Sequence, residues 1–388
     1  MSSSDPLLSS DSTWAFIAIG SELLKGVCED ENGPWLARFL QSKGHRLIHI
    51  GLCEDNEKAI LKALDEALAR ADIVVLSGGL GPTPDDLTEG VLSPYVEGPT
   101  EHLPNPVGKA YGLLGRREGR TLAALPGVPV EFRKMFEAEL YPRLFPKGTS
   151  SDSSRLTVKT WGIGEEKLWN ENPRLWDDLA AFGSVSSLPW ALGVDIGVDL
   201  RGSLEERKEK EQNILDILAK GHLKDRIWQV GELDLSHYVF KLLEKRSLSL
   251  GFCESCTGGL ASHHLTDIPG SSKVFKGSVV CYANDIKSRV LGLSEKILKD
   301  HGAVSEETAR ALAQGGQKLL GVDYCLAYTG IAGPGGGSPE KPVGTVGIAL
   351  QGPRDDVSGL FHFSGSRTGL KEKFWAQGLL MLARTLQG

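Results

Sequence analysis

Between residues 14 and 76, short apolar runs rich in β-branched residues alternate with helical patterns, and this alternation constrains the fold more than any other feature of the chain. The periodicity predicts a strand over 14–19, a helix over 34–42, a strand over 46–50, a helix over 57–70 and a buried strand over 72–76. A βαβαβ order implies a largely parallel sheet, with ligands received at the carboxyl ends of its strands. Glycine marks those ends. It makes up 47 of 388 residues, about 12% against an average near 7%, and it clusters directly after predicted strands.

A chain of 388 residues is long enough for two or three domains, each with its own core. An apolar fraction of 40% and a charged fraction of 24% are those of a globular protein rather than a disordered one. The net charge of −7 leaves no domain-wide basic excess to neutralise a phosphate backbone, so nucleic acid is not an expected partner. No apolar run reaches the roughly 18–20 residues of a membrane span, and MSSSDPLLSSDSTW has neither a basic end nor an apolar core of the signal type. The expected location is therefore the cytoplasm, with no membrane partner. Six cysteines without a paired framework fit a reducing compartment, and Cys28, Cys53, Cys281 and Cys325 read as small core residues.

Residues 1–12 read as a mobile tail, and GTSSDSS (148–154) reads as a linker. Residues 151–231 carry strand-like runs at 156–161 and 194–200 and a charged helix over 204–220, whose LEERKEKEQ run is a solvated face. A second α/β unit follows from residue 232. It has helices at 237–246, from 258, at 285–291, 306–320 and 370–386, and strands at 249–253, 278–282, 323–328 and 344–350. The expected fold class is α/β: two α/β domains with mainly parallel sheets (13–150 and 232–388) joined by a small α+β connecting domain.

In the first glycine cluster, GGLGPTPDDLTEG (78–90), Gly78, Gly79 and Gly81 make a turn whose backbone N–H groups are free to approach an anion. Asp85 and Asp86 enter a helical start. They either hold a divalent metal against phosphate oxygens or cap that helix. The strings GSELLKG (20–26), GGLGPTPDDLT (78–88), NPVGKA (105–110) and LPGVPVEF (125–132) resemble the amino-terminal domain of the CinA family, itself similar to molybdopterin-binding proteins. The resemblance implies metal-dependent hydrolysis of ADP-ribose to AMP and ribose 5-phosphate. Asp85 and Asp86 would be the catalytic and metal-binding carboxylates for Mg, Mn or Co, and Gly79, Gly81 and Thr83 the phosphate cradle. Asp30-Glu31-Asn32 stands where the family usually has Asp-Thr-Asn, and Tyr111 where it often has Pro.

The second cluster begins with Cys253-Glu254-Ser255-Cys256. A C-x-x-C with His263 and His264 nearby raises a redox or zinc site, but adjacent helical residues point about 100° apart and cannot easily share a metal. Ser255 is the better candidate, since a strand-to-helix turn offers free N–H groups and a helix dipole to a developing negative charge; the plain alternative is a helix cap. Tyr282 ends a strand, and Lys287 sits in the first turn of the next helix after Asn284 as its cap. There the dipole disfavours the lysine's charge and makes it a usable base. The loop TGIAGPGGG (329–337) is neither a Walker loop nor a dinucleotide fingerprint, and so many glycines suit a backbone that wraps a ligand.

ESCTGGL (254–260), TDIPGSS (266–272), YANDIK (282–287), HGAVSEETA (301–309) and TGIAGPGGGSPEKPVGTV (329–346) resemble the carboxy-terminal CinA domain. This resemblance implies deamidation of nicotinamide mononucleotide without a cofactor, with Ser255 as nucleophile and Lys287 and Tyr282 handling the proton. Backbone N–H groups around Cys256, Thr257 and Gly258 would form the oxyanion hole, with Gly259 beside them. Gly330, Ala332, Gly333, Gly335, Gly336, Gly337 and Arg367 are the expected holders of the ribose phosphate. A homodimer is the expected assembly. A pterin-type cofactor-binding module and a competence-related interaction protein remain as alternatives.

Overall fold

The computed structural model describes residues 8, 12–146, 152–220, 223–354 and 356–387; most of the tail and of the 148–154 linker lies outside them. Three sheets organise the chain. The first contains β1 (Thr13–Ile19), β2 (Arg46–Cys53), β3 (Ile73–Ser77), β4 (Glu101–Leu103), β5 (Gly112–Arg117) and β6 (Arg120–Leu125) in the order β2-β1-β3-β6-β5-β4. Its first four strands are parallel, and β5 and β4 extend it in antiparallel fashion. The two-residue period of β1 feeds a core on each face. Ala15, Ile17 and Ile19 pack with Ile60 and Leu64 of one helix, while Trp14, Phe16 and Ala18 pack with Leu36 and Leu40 of another. These helices span Asn32–Ser42 (α1) and Glu57–Leu68 (α2), and the Asn56 side chain caps α2 by accepting from the Ala59 N–H at 2.9 Å.

The second sheet has β7 (Ser153–Thr160), β8 (Gly183–Trp190), β9 (Gly193–Arg201) and β10 (Ile227–Val230) in the order β10-β7-β9-β8. The third has β11 (Leu250–Glu254), β12 (Phe275–Val280), β13 (Tyr324–Gly330), β14 (Thr345–Gln351) and β15 (Asp356–His362) in the order β12-β11-β13-β14-β15. Its first three strands are parallel, and β14 and β15 continue it antiparallel. Here too the faces divide by alternation. Leu250, Phe252, Leu326 and Tyr328 join the core under the final helix, whereas Cys253, Cys325 and Ala327 join one with Leu312 and Ala313 of the helix Glu306–Leu320. That helix lies close: a Cβ on Gly316 would stand 2.2 Å from the Cys253 sulfur and 2.8 Å from that of Cys325.

By compactness the chain forms two units, 1–154 with 200–210, and 155–199 with 211–388. Among the described residues, no helix is long and apolar enough to cross a membrane. Three details differ from the sequence expectations. Cys28 is exposed rather than in a core, while Cys53, Cys281 and Cys325 are buried. Strand β12 stops at Val280, so Tyr282 lies two residues past it. Strands β4, β5, β6, β8, β10 and β15 were not predicted from the sequence pattern: β4, β8, β10 and β15 are edge strands, where one-sided burial leaves little apolar alternation, while β5 and β6 form a hairpin inside the first sheet whose Leu- and Ala-rich runs are poor in β-branched residues.

Candidate active sites

At the carboxyl edge of the first sheet, Gly78 (φ 105°) and Gly79 (φ 67°) turn the chain out of β3 in the left-handed region. Their small size is also required, since a Cβ on Gly79 would come within 2.2 Å of the Thr88 hydroxyl oxygen. Thr88 opens helix α3 (Thr88–Tyr95), donates its hydroxyl to the Gly78 carbonyl at 2.8 Å and fixes the loop. Asp85 and Asp86 precede this helix and do not cap it. Asp86 instead folds back on its own loop, accepting from the Thr83 N–H at 2.8 Å and from the Thr83 hydroxyl. Burial opposes its ionisation, but the bonds from Thr83 and the Gly81 N–H outweigh this and hold its carboxyl below the usual range. Thr83 and the Gly81 N–H are therefore turned to Asp86, and the Gly78 N–H to the Leu125 carbonyl at 3.0 Å, rather than outward to an anion as the sequence suggested.

Asn32, buried at the start of α1, ties the end of β3 to the loop after β6: its amide donates to the Ser77 hydroxyl (2.9 Å) and the Gly127 carbonyl (2.8 Å). Its own carbonyl oxygen is buried without a partner. Among the described residues, no group of three or more His, Cys, Asp or Glu stands close enough to hold a metal on protein ligands alone. Two adjacent carboxylates do suit an ion that shares its coordination with substrate phosphates, as Mg²⁺ commonly does.

The carboxyl edge of the third sheet holds a cavity of about 240 Å³ lined by Ser255, Cys256, Tyr282, Lys287, Gly330, Ala332 and Arg367, together with Asn284, Ala303, Val304 and Thr329. Ser255 continues β11 by one bond, its N–H donating to the Tyr328 carbonyl at 2.9 Å. The turn that follows is held by Glu254, which is fully buried. Its Oε2 accepts from the N–H groups of Gly259 (2.9 Å) and Ala261 (3.0 Å), and its Oε1 from the N–H (3.0 Å) and hydroxyl (2.6 Å) of Ser262. Helices α4 (Leu204–Ala219) and α5 (Leu235–Arg246) lie earlier in the chain, and the carboxylate supplies the acceptors that the first turn of helix α6 (Leu260–Thr266) cannot find internally. A glutamate beside a Ser-x-x-Gly-Gly turn was the available sequence signal for this role.

Lys287 lies in helix α7 (Asn284–Leu291) with only 2% of its surface exposed. Its amine donates to the Tyr282 backbone carbonyl (3.1 Å) and the Asn284 side-chain oxygen (3.4 Å), so Asn284 positions the lysine instead of capping the helix. Burial draws the amine below the usual lysine value, against the opposing pull of Cys281, Cys256 and Tyr282. The Tyr282 phenol is exposed and accepts from Arg367 at 3.2 Å, while the same guanidinium donates to the Gly333 carbonyl. Arg367 thereby joins the glycine loop to the tyrosine. Gly335, Gly336 and Gly337 are exposed and lie outside the cavity lining, and Thr257 is fully buried.

The C-x-x-C does not form a paired site. Cys253 faces Cys325 with sulfurs 3.9 Å apart, while Cys256 lies in the opposite core, where burial pushes its thiol up to about 12 and keeps it protonated. His264 stacks on Trp375 at 4.1 Å and pairs with Glu372, and His263 pairs with Asp267.

Residues 232–386 match the family described as CinA C-terminal domain, and residues 15–146 match the one described as probable molybdopterin binding domain. A CinA-like protein of Chlorobium limicola is 35% identical over 404 residues, covering 92% of this chain and 94% of its own. One from Salinibacter ruber is 35% identical over 409 residues, covering 95% and 98%. The solved structure of the competence/damage inducible protein CihA from Agrobacterium tumefaciens is 36% identical with a TM-score of 0.39, covering 40% of this chain and 94% of its own.

Proposed function

This chain belongs to the CinA family, and we propose that it is a cytoplasmic hydrolase with two active centres. One deamidates nicotinamide mononucleotide at Ser255, and the other cleaves ADP-ribose beside Asp85 and Asp86. The observation that carries the first reading is the cavity whose lining holds both a serine on a strand-to-helix turn and a buried lysine of lowered proton affinity. Ser255 Oγ attacks the carboxamide carbon and gives its proton to neutral Lys287. The resulting oxyanion is stabilised by backbone N–H groups of the Cys256–Gly258 turn. Collapse expels ammonia, which takes the proton back from Lys287. Tyr282, whose phenol stands beside Arg367, serves that transfer. Water then attacks the acyl-enzyme, and nicotinate mononucleotide leaves with Ser255 restored. Arg367 and the loop from Gly330 to Gly333 hold the ribose phosphate.

In the amino-terminal domain, the carboxylates of Asp85 and Asp86 would hold a divalent ion, which when bound neutralises charge on the substrate diphosphate. The chain's own part there is to seat the diphosphate against the Gly78–Gly81 turn, whose lack of side chains lets it approach closely. The match to molybdopterin-binding domains favours a second reading for this half: retention of a pterin-type cofactor without turnover. The test is a product assay on the full chain with each substrate, with and without chelator. Ammonia and nicotinate mononucleotide from the first substrate, and AMP with ribose 5-phosphate from the second, are expected. Absence of ammonia release overturns the amidase assignment, and absence of AMP with every divalent ion tried favours the pterin reading.

A further inference from the structure

Strand β5 runs antiparallel to β6, pairing Leu113 with Ala124 and Leu114 with Ala123. The residue just before it, Tyr111, therefore stands at the same carboxyl edge as the Gly78–Gly81 turn. Strands β3, β6 and β5 are consecutive neighbours, so two strand spacings, about 10 Å, separate the line of β3 from that of β5. The Tyr111 ring is held at two points. It stacks on His102 with centroids 4.2 Å apart and planes 14° from parallel. Its hydroxyl donates to the Glu89 carboxylate, both of whose oxygens lie 2.7 Å away. Glu89 is in the first turn of α3, the helix that follows Asp85 and Asp86 directly. Even so, 36% of the tyrosine remains exposed.

A rigid aromatic plate, fixed on one face and open to solvent, loses little conformational freedom when a second planar ring stacks on it. We propose that Tyr111, backed by His102 and oriented by Glu89, is the stacking platform for the nucleobase of a nucleotide whose phosphates lie at the Gly78–Gly81 turn. The inference rests on the reading of this edge as a nucleotide site and adds the part of the ligand that the glycine turn and the acidic pair leave unrecognised. Stacking tolerates any planar base, so Tyr111 contributes affinity more than choice among bases.

The experiment is calorimetric titration of the full chain with AMP, which carries the base, and with ribose 5-phosphate, which does not. Wild type, Tyr111→Ala and Tyr111→Phe are compared, alongside ADP-ribose turnover by the wild type. Loss of one base–aromatic stack predicts AMP binding weakened about 5- to 150-fold in Tyr111→Ala. Ribose 5-phosphate affinity should stay unchanged, and Tyr111→Phe should bind AMP within about threefold of wild type. AMP affinity unchanged in Tyr111→Ala, or an equal loss for both ligands, overturns the platform even when the wild type hydrolyses ADP-ribose. Tyr111-dependent AMP binding without hydrolysis supports the platform and removes the hydrolase reading. A wild type that neither binds AMP nor turns over ADP-ribose removes both.

Discussion

Replacing Glu254 by Gln probes the turn that presents Ser255 with almost no change of shape. The glutamate's two oxygens divide their work: Oε2 serves only backbone donors, Gly259 and Ala261, while Oε1 serves the Ser262 N–H and the hydroxyls of Ser262 and Ser278. A glutamine amide will therefore place its NH₂ on the serine side. There the hydroxyls can turn to accept from it, and only the Ser262 N–H is stranded. One unsatisfied buried donor costs about 1–3 kcal/mol. At about 2–4 °C per kcal/mol for a domain of this size, the carboxy-terminal melting transition should fall by roughly 2–12 °C. Glu254→Ala strands three N–H groups, about 3–9 kcal/mol on the same scale and comparable with a whole domain's stability, so it is expected not to fold. In the folded Gln variant, kcat for ammonia release should drop on the order of 100-fold, because a displacement near 1 Å at the nucleophile has that effect. The measurements are a scanning-calorimetry trace and an ammonia assay on the same preparation. A melting transition within 1 °C of wild type together with ammonia release within about twofold would refute the assignment of Glu254 as the group that holds the nucleophile turn.

Three further outcomes are expected. Ser255→Ala should lower kcat for deamidation on the order of 10⁶-fold without affecting ADP-ribose hydrolysis, and near-normal ammonia release would remove Ser255 as the nucleophile. Burial lowers the Lys287 proton affinity, and the working form is the neutral amine, so kcat/KM should rise with pH through that lowered value. Lys287→Arg, which stays protonated, should be inactive; retention of activity within about tenfold would make Lys287 a structural residue. Chelator should stop ADP-ribose hydrolysis and spare deamidation, since only the acidic pair calls for an ion; equal loss of both activities contradicts the division of labour.

What the sequence determined by itself is the set of strand ends at which chemistry is placed. Buried strands such as β1, β3, β11 and β13 announce themselves through apolar residues on both faces, and the glycine strings that follow them mark the ligand edge whatever the rest of the chain does. The positions of Ser255 and the Gly330 loop on the cavity were legible for that reason, and that of Lys287 from its place in the first turn of the helix after β12. The β5–β6 hairpin left a local signal too, since Glu118 (φ 51°) and Gly119 (φ 73°) occupy the two left-handed positions of a tight turn. Of the edge strands, β2 and β12 were legible as apolar runs, whereas β4, β8, β10 and β15 left almost no signal. What only the tertiary structure decided is how the polar groups are shared out. Arg367 reaches Tyr282 across 85 residues and the Gly333 carbonyl across 34, Lys287 takes the Tyr282 backbone rather than its phenol, and Tyr111 finds Glu89 and His102. Asp86 turns to Thr83 within its own loop although an outward metal-binding pose has the same spacing. The physical reason is that burial follows periodicity, which a sequence displays. A hydrogen-bonding side chain has several chemically equivalent partners, and only the packed geometry selects among them.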